Sequence, residues 1–118
     1  ISAAPNEEVL RHKDLLGGED YCTSSIGIAE GPFDAFRIGP GAVWTFGTQL
    51  TPSQVYRISR YANRVVCLDN EPAAQAAAQR LCSMLAILPG ETTNVVVSSK
   101  DPGGASEEEI QTIRRLIR

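Results

Sequence analysis

A chain of 118 residues is long enough to bury one hydrophobic core and too short for two. Its 42% hydrophobic and 21% charged residues are ordinary for a globular protein, and no apolar run approaches the roughly 20 residues of a membrane span, so no membrane partner and a cytoplasmic setting are expected. A net charge of -3 argues against a domain that grips nucleic-acid phosphates unaided, and Cys22, Cys67 and Cys82 with the single His12 cannot make a four-ligand zinc site.

Residues 1–24 read as a polar lead-in segment, with a short helix over 7–16 that Gly17-Gly18 ends. The chain opens at Ile1 and its only methionine is Met84, so it is expected to be a fragment of a larger protein, with residues 25–118 forming its domain. A buried strand is predicted over 25–29. Glu30-Gly31-Pro32 then turns into a helix over 32–38, which Pro40-Gly41 closes. A second strand covers 42–46, with Trp44 packed on a helix. Thr51 and Pro52 supply the N-cap and first position of the next helix, whose Val55, Ile58 and Ser59 face inward while Arg57, Arg60 and Arg64 decorate the outside. The third strand covers 64–68, and Pro72 opens the longest helix, 73–88. A fourth strand over 93–98 contains Val95-Val96-Val97, a run typical of a sheet covered on both faces. Ser106 with Glu109 three residues on makes a capping box for a last helix reaching Leu116. This alternation predicts an α/β fold: a three-layer sandwich around a central four-stranded, mainly parallel sheet.

In such sheets ligands sit at the carboxyl ends of the strands. Glu30 ends the first strand, and Asp69 and Glu71 end the third, so three carboxylates converge if those strands are neighbours. Two like charges about 4 Å apart at an effective dielectric near 20 repel by roughly 4 kcal/mol. A hard cation relieves this, and Mg²⁺ is usually held by one or two carboxylates plus substrate phosphates. The bland alternative is that these acids serve the positive ends of the helices that follow. Asp34, one turn beyond Glu30, is read as a supporting acid. Asp101 stands equally between that role and a turn-forming Asp before Pro-Gly-Gly. Arg37 and Lys100 are the basic residues nearest this rim and the candidates for phosphate contact. No Walker-type or dinucleotide-binding glycine motif is present.

Four segments together carry a resemblance: Glu30-Gly31-Pro32-Phe33-Asp34, Phe46-Gly47-Thr48-Gln49-Leu50-Thr51, Leu68-Asp69-Asn70-Glu71-Pro72-Ala73-Ala74 and Lys100-Asp101-Pro102. In order and spacing they resemble a Toprim domain, the metal-binding module of primases, topoisomerases, recombination mediators and some nucleases. The resemblance is closest to bacterial and phage primases of the DnaG type. It implies that Glu30, Asp69 and Glu71 bind Mg²⁺ or Mn²⁺, with Asp34 and Asp101 supporting and Glu30 catalytic. The implied activity is nucleotidyl transfer that synthesises RNA primers on a DNA template from nucleoside triphosphates, with zinc-binding or helicase domains flanking the module. Asp69-Asn70-Glu71 stands where the family usually has Asp-x-Asp, and Ala73-Ala74 where Gly is expected. Two alternatives follow from the same resemblance. One is a small Toprim nuclease of the RNA-maturation or OLD type. The other is a non-catalytic binding module, as in recombination mediators, which would bind its partner without metal.

Overall fold

The computed structural model describes residues 16–18, 24–45 and 50–117. Four strands, β1 (Ser25–Ala29), β2 (Ala42–Trp44), β3 (Asn63–Val66) and β4 (Glu91–Asn94), form one sheet in the order β2-β1-β3-β4. All three pairings are parallel, with Ile28 opposite Val43 on one side and Val66 on the other. Helices α1 (Pro32–Ile38), α2 (Pro52–Ser59), α3 (Pro72–Leu85) and α4 (Glu107–Ile117) connect or follow the strands. None of them is long and apolar enough to cross a membrane.

The central strands are apolar on both faces because both are covered. Ile26, Ile28, Val43, Val66 and Leu68 point into a core closed by Ile58 of α2 and by Ala74, Ala77, Ala78, Leu81 and Leu85 of α3. The alternate positions Ala29, Ala42, Val65 and Cys67 pack on Ala35 and Ile38 of α1 and on Ile110, Ile113 and Ile117 of α4. Period-2 alternation in the strands therefore feeds two separate helix layers, as the predicted three-layer sandwich requires. Burial pushes the Cys67 thiol up to about 12, so it packs as a neutral apolar group.

β1 and the helices α1, α2 and α4 fall close to expectation. Thr51 accepts from the Gln54 amide at 3.2 Å while Gln54 Oε1 accepts from the Thr51 amide at 3.1 Å, a reciprocal box that locks the start of α2. The Ser106–Glu109 box starts α4 in the same way. Trp44 meets Phe36 of α1 edge to face, ring centres 5.3 Å apart. Gly39 ends α1 at φ 107°, a conformation that suits only glycine without strain.

The strand ends differ from expectation. β3 starts one residue and ends two residues before its predicted span, β4 starts two residues and ends four residues before its own, and α3 stops at Leu85. β4 is an edge strand, and Val96 is 51% exposed rather than covered on both faces. After Val95, whose amide still donates to Val66 O, the chain leaves the ladder, and the Val97 carbonyl accepts from the Asn70 side chain at 2.8 Å. Arg64 does not decorate the surface. It is 1% exposed, and its guanidinium donates to Thr92 Oγ1 and to the carbonyls of Tyr61, Leu85 and Pro89. The Tyr61 and Leu85 carbonyls lie at the ends of α2 and α3, where a cation is favoured, and that of Pro89 lies in the turn before β4. The predicted helix over 7–16 falls almost wholly outside the described residues, and so do residues 46–49 with their Gly47-Thr48 motif. Leu16 is buried, and Gly17 bridges to Trp44 through two backbone hydrogen bonds of 3.2 Å.

Candidate metal centre

The chain goes from β1 to β2 on one side of the sheet, then crosses back over β1 to β3. β1 and β3 are thus neighbours whose following helices lie on opposite faces, which opens a crevice at their carboxyl ends. Glu30 leaves β1 at this point, and Asp69 leaves the segment after β3. The Asp69 backbone amide donates to Glu30 Oε1 at 3.2 Å.

Glu71 and Asp34 do lie at the positive ends of helices, as the alternative reading has it, but no side chain makes a capping hydrogen bond there. Glu71 occupies the N-cap of α3 and Gly31 that of α1, and neither helix receives a side-chain cap bond. Glu30 turns to the neighbouring strand end, while Asp69 Oδ1 is buried without any hydrogen-bond partner. A carboxylate oxygen desolvated and left unpaired is costly, so its environment needs an explanation.

Electrostatics point the same way. Asp69 is pushed up to about 6, first by burial and then by the charges of Glu30, Asp34, Asp101 and Glu71. Glu30 is raised by burial and by Glu71, Asp34 and Asp101, against the lowering effect of the Asp69 amide. Asp34 is also raised, again chiefly by burial. Among the described residues no ion pair reaches any of these acids, the pair formed by Arg37 being with Glu107 at 3.4 Å. Carboxylates gathered without an ion-pair partner among the described residues favour the uptake of a proton or a cation.

That set is not a closed cage. Among the described residues, no three His, Cys, Asp or Glu side chains stand ready to enclose a metal ion by themselves. Oxygen donors that leave most of the coordination sphere to water and substrate phosphate fit Mg²⁺ rather than a fully protein-ligated metal.

The remaining predicted residues fall into two groups. Asp34 Oδ1 accepts from the Gly103 amide at 2.8 Å, and Asp101 Oδ1 accepts from the Gly104 amide at 2.9 Å, capping a single 3-10 turn at Pro102–Gly104. Asp34 therefore holds the loop after β4 against the start of α1 and Asp101 shapes the turn within that loop, while both lend negative charge to Glu30 and Asp69. Arg37 donates to the Gly103 carbonyl at 3.0 Å and is engaged in the same clamp. Lys100 is exposed at the rim, its carbonyl accepting from the Asn70 amide at 2.7 Å.

Two amides that the sequence reading passed over shape the site. Asn70 ties the Asp69–Glu71 bend to the segment after β4 through both its backbone and its side chain. Gln75 Nε2 donates to the Asp69 carbonyl at 3.0 Å, and its Oε1 accepts from Asn94 at 3.3 Å. The available signal was position: Asn70 lies between the acids, and Gln75 is a polar residue one turn into an alanine-rich helix.

A family model described as Toprim-like matches residues 27–105, the stretch that contains all five acids. The chain belongs to the Toprim-like family. Among solved structures, the Aquifex aeolicus primase, represented by its zinc-binding and RNA polymerase domains, is similar with a TM-score of 0.68 and 23% identity. The match covers 91% of this chain and 30% of that one, so the Toprim-like chain spans under a third of that primase's length. At this identity the likeness is one of fold. No curated protein sequence matches the chain.

Proposed function

We propose that this Toprim-like domain is the Mg²⁺-dependent catalytic module of a DNA primase, joining nucleotides into RNA primers on a DNA template. The observation that carries the reading is Asp69 Oδ1, buried and unpaired beside Glu30 in the crevice between β1 and β3. Glu30, Asp69 and Glu71 are the residues that would hold Mg²⁺ or Mn²⁺. When bound, the ions supply charge neutralisation for the phosphates of a nucleoside triphosphate and for the attacking hydroxyl.

The chain's own residues have separable tasks in this scheme. Asp69 offers a buried oxygen that no protein group among the described residues satisfies. Glu30, raised by burial, would alternatively serve as a general acid or base at the rim in place of holding metal. Asp34 and Asp101 fix the loop that presents Lys100, and Lys100 is the exposed cation available to a triphosphate. The likeness in fold to the Aquifex primase is in keeping with the primase reading, and the flanking domains of such a protein would supply template contacts.

The test is calorimetric titration of Mg²⁺ and Mn²⁺ into the chain and into Asp69→Asn, followed by primer synthesis with Glu30→Gln in the whole protein. Saturable binding that the Asp69 variant loses, together with an inactive Glu30 variant, is the expected result. No binding even with nucleotide present would overturn the metal site, and metal binding without nucleotidyl transfer would overturn the primase reading.

A further inference from the structure

The acid pair after β3 stands on backbone that belongs to no regular element. β3 ends at Val66 and α3 starts at Pro72, so Asp69, Asn70 and Glu71 lie outside both the ladder and the helix. Their amides are held by single contacts instead. That of Asp69 donates to Glu30 Oε1 at 3.2 Å, that of Asn70 to the Lys100 carbonyl at 2.7 Å, and that of Glu71 to the Asp69 carbonyl at 2.9 Å. The last bond runs from i+2 to i and closes a γ-turn around Asn70.

One residue of α3 grips the carbonyls of both acids. The Gln75 backbone amide donates to Glu71 O at 2.9 Å, and its side-chain Nε2 donates to Asp69 O at 3.0 Å. In Pro72-Ala73-Ala74-Gln75-Ala76-Ala77-Ala78 it is the one side chain able to hydrogen-bond. Its orientation is set from β4, where Asn94 Nδ2 donates to Gln75 Oε1 at 3.3 Å. A reversed amide would put oxygen against the Asp69 carbonyl and NH₂ against that of Asn94, so the Asn94 contact keeps the donor on the bend.

We infer that Gln75, oriented by Asn94, is a positioning residue that sets the 69–71 bend in its metal-binding shape before a cation arrives. The inference rests on the metal reading of the acidic rim. Binding groups work when held to within about 0.5 Å of their productive geometry. Asp69 and Glu71 meet that demand only if the peptides between them are fixed, and the Asp69 carbonyl is where the γ-turn and α3 both take hold of them. A chain without the Gln75 contact keeps every acid but must order the bend as the ion binds. That ordering is lost affinity.

The test uses the whole chain and three variants: Gln75→Met, which keeps the side chain's length and donates nothing, Asn94→Ala, and the two together. In metal-free solution, amide exchange at 69–71 followed by NMR should accelerate about fivefold in Gln75→Met and about twofold in Asn94→Ala, the scale of one neutral hydrogen bond and a fraction of one. The double variant should match Gln75→Met, because Asn94 acts through Gln75. Mn²⁺ titration read by electron paramagnetic resonance, at a temperature where every variant is fully folded, should show affinity lowered about tenfold by Gln75→Met. The lines of the bound ion should broaden as its surroundings become less uniform. Gln79→Met, at an exposed position one turn further along α3, should change none of these. Unchanged exchange at 69–71 in Gln75→Met, additive effects in the double variant, or equal changes with Gln79→Met would overturn the inference. A loosened bend with unaltered Mn²⁺ affinity would also overturn it, leaving Gln75 a structural brace alone. Failure of the metal reading shows separately as a parent that binds no Mn²⁺, while the metal-free exchange still decides whether Gln75 sets the bend.

Discussion

The Asp69 amide donates to Glu30 Oε1 at 3.2 Å, joining the carboxyl ends of two adjacent parallel strands through the acids that follow them. A hydrogen bond from a backbone amide normally stabilises a charged carboxylate, yet Glu30 is raised overall because burial outweighs it. The contact therefore positions Glu30 without relieving the charge gathered around it.

Asp69→Asn should separate binding from stability. The substitution removes one charge from five and keeps the shape, so the variant should lose Mg²⁺ binding in calorimetry. At pH 7.5 without metal it should be more stable than the parent by about 1 kcal/mol, a figure reduced from the full shift because Asp69 is partly exposed. Thermal melts should show this as a rise of roughly 3–5 °C.

The advantage of that variant should depend on pH in a set direction. Asp69 is raised from 3.8 to about 6 in the fold, so between those values the folded chain holds a proton that the unfolded chain has released. Folding is thereby progressively disfavoured as pH rises from 4 to 6, and the penalty is constant above 6. The parent and Asp69→Asn should melt together near pH 4, diverge up to about pH 6, and stay apart beyond it. Saturating Mg²⁺ should remove the divergence at pH 7.5 and have little effect at pH 4.5, where Asp69 is protonated.

How much of this was legible before any coordinates turns on the range of each interaction. β1, α1 and the two capping boxes were readable because Pro32, Thr51 with Pro52, and Ser106 with Glu109 act within four residues of themselves. Glu30, Asp69 and Glu71 were readable as a rim because each follows an apolar run, although their meeting required β1 and β3 to be neighbours. Arg64 was misread because its spacing after Arg57 and Arg60 continues a surface pattern, while its three carbonyl partners come from two helix ends and a turn that only the fold assembles. Val95–Val97 was misread because its apolar run says nothing of the Asn70 side chain that draws it off the sheet.

Gly103→Ala should test the clamp behind the rim. A Cβ at this position would lie 2.9 Å from Asp34 Oδ1 and 3.4 Å from Asp101 Oδ1, close enough to displace the first. The Asp34 bond to the Gly103 amide should weaken, loosening the loop that bears Lys100. The expected cost is about 1 kcal/mol in denaturant melts, with amide exchange at 101–105 accelerated and that of β1 unchanged.

Arg64→Met is expected to be the most damaging single change away from the rim. The side chain is 1% exposed, and methionine fills much of its volume while donating nothing. The carbonyls of Tyr61, Leu85 and Pro89 would lose a charged donor in a buried setting, at about 3 kcal/mol in total. Melting should fall by roughly 10 °C. Because these groups lie at the amino end of β3, far from Asp69, any variant that still folds at low temperature should bind Mg²⁺ with the parent's affinity. A parallel loss of metal binding would mean that the C-terminal ends of α2 and α3 are coupled to the crevice, and that Arg64 sets the position of β3 along its whole length.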